Sequence, residues 1–307
     1  IFQKTISPEK AKNKVTKVYT WTNRPVWPQG VAMQSPDPSK KPEGMDWDLW
    51  IGPAENNGYT PGLHAFDWRG FWDYGTGALG DMGCHLMDVP IKALGLFEPF
   101  SIEASVSTLP YAKAFTPSPL IEEACPSSSY VTYKFRPSEI NDSEVKMVWM
   151  DGGIRPSHPD IITDADDIGD NGVLMIGENG LINASEYGNS ARLYIKGQEG
   201  VVETGKKSEI NAVEFGHQNH WIDAIKDGYG SDKHRSLTSN FDFAGPLSEV
   251  VLLGNVAIRS SYIRRSRRSN VFIGKKQLLY NSKEIRITNL DKANQFLTRE
   301  YREGWEI

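Results

Sequence analysis

The spacing of apolar positions along the chain changes from alternation to helical period and back. Val15-Thr16-Lys17-Val18-Tyr19-Thr20-Trp21-Thr22 is β-branched and aromatic, and Asn23-Arg24-Pro25 breaks it, which predicts a strand running into a loop. From Trp27 to Pro61 prolines are dense, and one short helix is predicted over Asp46 to Ile51. Leu79, Met82, Leu86, Val89 and Ala93 recur at three- and four-residue steps, so a helix is predicted from Leu79 to Leu94, bent by Pro90 and stopped by Gly95. Strands are predicted at Ile102 to Thr108, Tyr130 to Phe135, Val145 to Met150, Val173 to Ile176, Leu181 to Ala184 and Ala191 to Ile195, with Glu178-Asn179-Gly180 as a hairpin link. Two helices follow, about Glu214 to Lys226 and about Pro246 to Ser261, the second opened by its proline. Strands followed by helices indicate an α+β fold, and the short turns indicate a large, mostly antiparallel open sheet with helices packed on one face. The pattern divides the chain into a Trp/Pro-rich strand and loops (14–75), a helix carrying the candidate site (76–96), the sheet (101–200) and closing helices with a C-terminal segment (210–307). No internal repeat at solenoid periods is visible.

Composition narrows the choice of function. The 307 residues leave room for a substantial core, in one large or two smaller domains. The net charge of −5 opposes phosphate polyanions, so no nucleic-acid partner is expected. The longest apolar run, Val250 to Leu253 resumed at Val256 to Ile258, is far short of the ~18 residues of a spanning helix, and no membrane insertion is expected. Cys84 and Cys125 form neither a disulfide framework nor a zinc pattern and leave the compartment open between cytoplasm and periplasm. Six of the nine tryptophans (Trp21, Trp27, Trp47, Trp50, Trp68, Trp72) fall in the first quarter, too much apolar surface for a flexible linker.

The strongest constellation is Gly80-Asp81-Met82-Gly83-Cys84-His85-Leu86-Met87-Asp88. At 100° per residue His85 lies about 40° and Asp88 about −20° from Asp81, a narrow ionisable stripe opposite an apolar face. A histidine oriented by a neighbouring carboxylate suits proton transfer to or from a hydroxyl. The same spacing also fits an amphipathic helix with a solvated polar face. Gly75-Thr76-Gly77-Ala78-Leu79-Gly80 matches a G-x-G-x-x-G fingerprint, but the segment before it, Trp68 to Tyr74, is a poor core strand, so the glycines are expected to serve a sharp turn or close approach. Sugars and polyols offer C–H faces to indole rings and hydroxyls to polar partners. Trp27, Arg24, Trp68, Arg69, Trp72 and Asp73 supply both near the stripe, although such rings are equally often core.

Trp68-Arg69, followed by Gly77-Ala78-Leu79-Gly80-Asp81-Met82-Gly83-Cys84-His85-Leu86-Met87-Asp88, resembles the G-x-x-x-D-x-G-x-H-x-x-D signature of the Gfo/Idh/MocA oxidoreductases. Thr22 to Gly30, Asp46 to Pro53 and Ser239 to Leu247 resemble a bacterial subgroup of that family, from about Val15 to Ser260 and again from Glu284 to Trp305. Arg264-Arg265-Ser266-Arg267-Arg268 departs from the pattern. The resemblance implies an upstream Rossmann domain binding NAD or NADP, and a C-terminal α+β domain whose open sheet backs the substrate pocket and often makes a homo-oligomer. This chain matches the second part only, and the family's Glu-Lys-Pro motif has no counterpart here, so a further domain is expected upstream of Ile1. The resemblance implies His85 as general acid/base and Asp81 as the group binding a neighbouring hydroxyl. Arg24, Trp27, Arg69, Trp72, Asp73, Asp88, His217 and His220 are expected around the substrate, and Trp68 and Arg69 at the cofactor edge. The implied function is hydride transfer between a nicotinamide and a sugar, polyol or derivative. The alternatives are an NAD-dependent glycosidase of the same superfamily, or a non-catalytic carbohydrate-binding or scaffold module.

Other features are weaker. His217 and His220, with Asp223 one turn later, could ligate a metal, but helical zinc sites more often use an i, i+4 pair, so no metal is expected. The acidic loop from Asp160 to Asp170 begins like a calcium loop at Asp164 and Asp166 and fails at Ile168 and Met175. The basic run near Arg264 reads as a solvated tether at a helix end. No G-x-S-x-G elbow is present.

Overall fold

A computed structural model describes residues 14–107, 121–162, 167–188, 190–198, 200–203, 215–266, 269 and 271–306. The strands are β1 Val15–Trp21, β2 Pro99–Val106, β3 Ser129–Phe135, β4 Val145–Met150, β5 Gly172–Gly177, β6 Gly180–Ala184, β7 Arg192–Ile195, β8 Val202–Glu203, β9 Leu278–Asn281 and β10 Arg286–Ile287. They form one sheet in the order β10-β9-β2-β3-β4-β1-β5-β6-β7-β8. The helices are α1 Trp47–Ile51, α2 Gly77–Leu86, α3 Asp88–Leu94, α4 Gly216–Asp227, α5 Asp232–Ser236 and α6 Phe241–Ser260. The architecture is the α+β open sheet that the sequence pattern indicates.

Two faces of the sheet differ. Val18, Ile102, Val131, Tyr133, Val145, Met147, Trp149, Val173 and Met175 point to the face covered by α2, α3 and α6, where Leu79, Leu86, Ile91, Val250 and Leu253 close the main core. The alternate residues Trp21, Val148, Met150 and Leu174 pack with Ile162 and Ile168 on the other face, where Lys17 and Lys146 remain exposed. Helices therefore cover one face, and among the described residues the second is only partly capped.

The first strand is the element that sequence proximity does not place. β1 lies between β4, to which it runs parallel, and β5, to which it runs antiparallel. Short turns predict antiparallel neighbours alone; the parallel pair arises because β1 enters from a long connection and carries apolar side chains on both faces, which suits an interior position. The hairpin at Glu178-Asn179 forms as expected, pairing Ile176 with Leu181. β8, β9 and β10 escape the sequence reading because two to four residues give no period.

Three helix boundaries are corrected. The helix expected over Leu79–Leu94 is two, interrupted at Met87, because Pro90 has no N–H and its ring crowds the carbonyl of Leu86. The last long helix begins at Phe241, not Pro246: the Asn240 side chain accepts from the Phe243 N–H and caps a turn that the proline then sits within. The helix expected from Glu214 starts at Gly216. Glu214, Thr108, Asp164, Asp166, Arg267, Arg268 and the amino end at Ile1 lie outside the described residues.

The stretch Asp232–Ser260 has the length and apolarity to cross a bilayer, but half of it is buried within the protein, where Val250, Leu253 and Ile258 join the main core. It is accounted for as a core helix.

Candidate functional site

The site begins at the amino end of α2. Gly77 takes φ +64°, and a Cβ there would lie 2.9 Å from the Cys125 side chain, so only glycine turns the chain sharply into the helix beside Cys125. Gln29 secures the same end: its Oε1 accepts from the Ala78 N–H at 2.9 Å and the Trp27 indole N–H at 2.8 Å, while its Nε2 donates to the Pro126 carbonyl at 2.6 Å. The side is packed as tightly, since a Cβ on Gly83 would lie 2.8 Å from Val251 of α6 and one on Gly80 would strike Thr76. These contacts hold α2 at a fixed depth and rotation.

From that helix Asp81 reaches Arg69, whose Nε donates to Asp81 Oδ1 at 3.1 Å. A second guanidinium nitrogen donates to the Phe66 carbonyl, and the Arg69 plane lies 4.6 Å from the Trp68 ring and 4.7 Å from that of Phe66. The carboxylate is thus fixed by a guanidinium that is itself clamped between rings. One turn on, the His85 imidazole meets the edge of Tyr187 with ring centroids 4.8 Å apart. Tyr187 belongs to a 3-10 turn, Glu186–Gly188, and holds φ 62°, a left-handed conformation unusual for a tyrosine. The neighbouring Gly188 sits so close to α3 that a Cβ would lie 2.7 Å from Val89. Glu186 raises the Tyr187 phenol through a hydrogen bond and its charge, against the pull of Arg24.

The sequence-predicted residues therefore divide. Asp81, His85, Arg69 and Trp68 gather around α2 and the Tyr187 turn, while the Arg24 guanidinium donates to its neighbour Asn23 at 2.6 Å. Asp88 does not continue the stripe as one helix, because the break at Met87 makes it the first residue of α3; its carboxyl is raised by burial, against the pull of Lys92. Among the described residues no hydrogen bond joins His85 to Asp81 or Asp88. Trp27 is buried, bonded to Gln29 and edge-on to Phe66, so its ring is mostly packing. Trp72 lies against the main core and faces Arg259 and Phe296, while the Asp73 carbonyl accepts from Arg299. His217 and His220 stand on the exposed α4, where His220 pairs with Ser236 at 2.9 Å. Among the described residues no group of three His, Cys, Asp or Glu could hold a metal ion. Gln29 and Tyr187 were missed by sequence reading. Gln29 carries no periodic signal, and Tyr187 could have been suspected only from its place beside a turn glycine.

The Gly75–Gly80 fingerprint does not fit a dinucleotide. It follows a 3-10 turn, Asp67–Gly70, rather than a core strand, the Ala78 N–H is taken by Gln29, and the space over Gly77 is filled by Cys125. A nicotinamide cofactor would thus need its phosphate site outside these residues.

Residues 8–107 match the Gfo/Idh/MocA family model described as "Oxidoreductase family, C-terminal alpha/beta domain". Over those residues, about a third of the chain, the sequence is similar to the C-terminal domain of that family. No curated protein matches the sequence at a significant level. Among solved structures, this chain is similar to UDP-N-acetylglucosamine 3-dehydrogenase GnnA from Acidithiobacillus ferrooxidans, at 12% identity and a TM-score of 0.38 over 81% of this chain and 55% of that one. An NAD binding oxidoreductase from Klebsiella pneumoniae gives 13% identity and 0.40 over 78% and 56%. Levoglucosan dehydrogenase, solved with NADH and levoglucosan, gives 15% identity and 0.36 over 80% and 56%. The chain spans little more than half the length of these proteins.

Proposed function

We propose that this domain is the substrate-binding part of an NAD(P)-dependent oxidoreductase acting on a sugar, polyol or derivative, with the cofactor-binding domain lying upstream in the longer protein. The observation that carries this reading is the Arg69–Asp81 ion pair set one turn before His85 on a single, tightly packed helix. A nicotinamide cofactor, when bound, would supply the hydride acceptor or donor. In oxidation, His85 would take the hydroxyl proton as hydride leaves the same carbon; in reduction it would return that proton to the carbonyl oxygen. Asp81, aimed by Arg69, would accept a hydrogen bond from an adjacent hydroxyl and so select which carbon stands before His85. Trp68 and Arg69 would face the cofactor edge, and Arg24 and Tyr187 would border the substrate. The partly open face of the sheet, with Lys17 and Lys146 exposed, is the surface proposed for homo-oligomerisation, which light scattering of the purified protein reads directly.

The test uses the longest natural polypeptide and a sugar panel, following NADH or NADPH at fixed cofactor. His85→Ala should lower kcat by 10²–10⁴-fold, as loss of a general acid/base does, with substrate binding by calorimetry within a few-fold of wild type. Unchanged kcat would remove His85 from the chemistry. Release of free sugar from a glycoside without net NADH would instead identify the glycosidase relative of this reaction.

A further inference from the structure

A second cavity, of about 620 Å³, opens where the carboxyl end of α6 meets the C-terminal segment. Val251 of α6 packs on Gly83 and Asn255 on Gly80, so α2 and α6 run antiparallel. Arg259 then lies beyond the amino end of α2, whereas His85 lies toward its other end. Ten residues of helix at 1.5 Å each separate the two levels by roughly 15 Å. The cavity is thus remote from His85.

Its lining is cationic in a protein of net charge −5. Arg259, Arg264 and Lys292 face one carboxylate, Glu122, among the described lining residues. The Arg259 guanidinium lies against two rings, 5.5 Å from that of Trp72 and 4.4 Å from that of Phe296. Burial lowers the Arg259 pKa and raises that of the Tyr262 phenol, the response of groups withdrawn from water.

Among the described residues, the Trp72 indole N–H and the Arg264 Nε–H, from two residues of the lining, are buried without an acceptor. Fixed positive charge beside aromatic walls, in a cavity with one opposing carboxylate among its described lining residues, suits an oxyanion.

We infer that this cavity binds a small organic anion, whose carboxylate or phosphate is held by the positive charge of Arg259, Arg264 and Lys292, and whose body fills the space beside Phe296. A carboxylate or a phosphate suits the forked N–H edge of a guanidinium. The volume is that of a small-molecule site rather than of a lone inorganic ion. The inference stands independently of the reaction proposed above.

Calorimetric titration of the full chain with glucuronate, glucose 6-phosphate and neutral glucose, at constant ionic strength, tests it. At least one charged sugar should bind saturably and more tightly than glucose. Glucuronate alone would identify a carboxylate ligand, glucose 6-phosphate alone a phosphate ligand, and both a site for either oxyanion. Arg264→Gln should weaken binding about tenfold and the exposed Lys292→Gln about threefold. Lys292 is a surface residue, so its variant reports on binding even if Arg264→Gln proves unstable. His85→Ala should bind the anion as wild type does. Equal binding of all three sugars, unchanged affinity in Lys292→Gln, or loss of anion binding in His85→Ala would each overturn the assignment.

Discussion

Asp151, at the end of β4, is buried, with its oxygens accepting from the Ser129 backbone N–H, the Ser129 hydroxyl and the Trp149 indole. Burial outweighs these donors and pushes its carboxyl up to about 6 from 3.8. Below about pH 4 the group is protonated in both folded and unfolded chains. As pH rises from about 4 to 6 the unfolded chain ionises first, so folded stability falls; above about pH 6 the loss is complete, at about 3 kcal/mol. Asp151→Asn removes this titration, while its amide cannot accept from all three donors. In urea titrations the stability advantage of wild type over Asp151→Asn should therefore be greatest near pH 4 and shrink by up to about 3 kcal/mol by pH 7. A constant difference would mean that the carboxyl is not raised. Nothing in the sequence around Asp151 marks it, because its environment comes from β3 and from the indole two residues before it. His85 and Asp81, by contrast, stand out in the sequence as chemically loaded residues on a regular spacing.

At the scale of elements, α2 owes its position to a side chain 49 positions earlier in the chain. Gln29 satisfies one orphan N–H of the helix start, the Trp27 indole and the Pro126 carbonyl together, all of them buried. Gln29→Ala strands these groups and should cost about 2–4 kcal/mol in a chemical denaturation experiment. A loss below about 1 kcal/mol would show that water replaces the amide. The helical period of α2 and α3 was legible in the sequence, and Pro90 announced a bend. The place of the break was set by the proline's effect on the preceding turn, and that break removes Asp88 from the stripe formed by Asp81 and His85. The Arg69–Asp81 pair could not be read from spacing, since a loop of unpredictable path brings the guanidinium back across 12 residues. The tryptophans were legible as a concentration of apolar surface. Their roles were not: Trp47 and Trp50 stack 4.8 Å apart in a local core with Trp68, and Trp27 is buried beside Gln29.

Across the whole molecule, burial is unevenly shared. α6 lies in the main core along most of its length, whereas α4 and α5 together bury only Ala224 and leave Trp221 and Ile225 exposed. Local opening follows buried contact, so in hydrogen–deuterium exchange the α4 amides should exchange orders of magnitude faster than those of α6. Equal protection would mean that something covers α4 in solution. The amino-acid sequence by itself determined the α+β class, the positions of the longer strands and helices, and the helix carrying Asp81 and His85. Each of these follows from local periodicity, capping or turn chemistry within a short window. The tertiary structure alone decided that β1 runs parallel to β4 in mid-sheet, that Arg69 fixes Asp81 and that Tyr187 reaches His85. It also decided that Arg259 and Arg264 meet Lys292 around a cavity. Those contacts join distant segments, and the free energy that selects them is gained only when the sheet and its helices pack as one body.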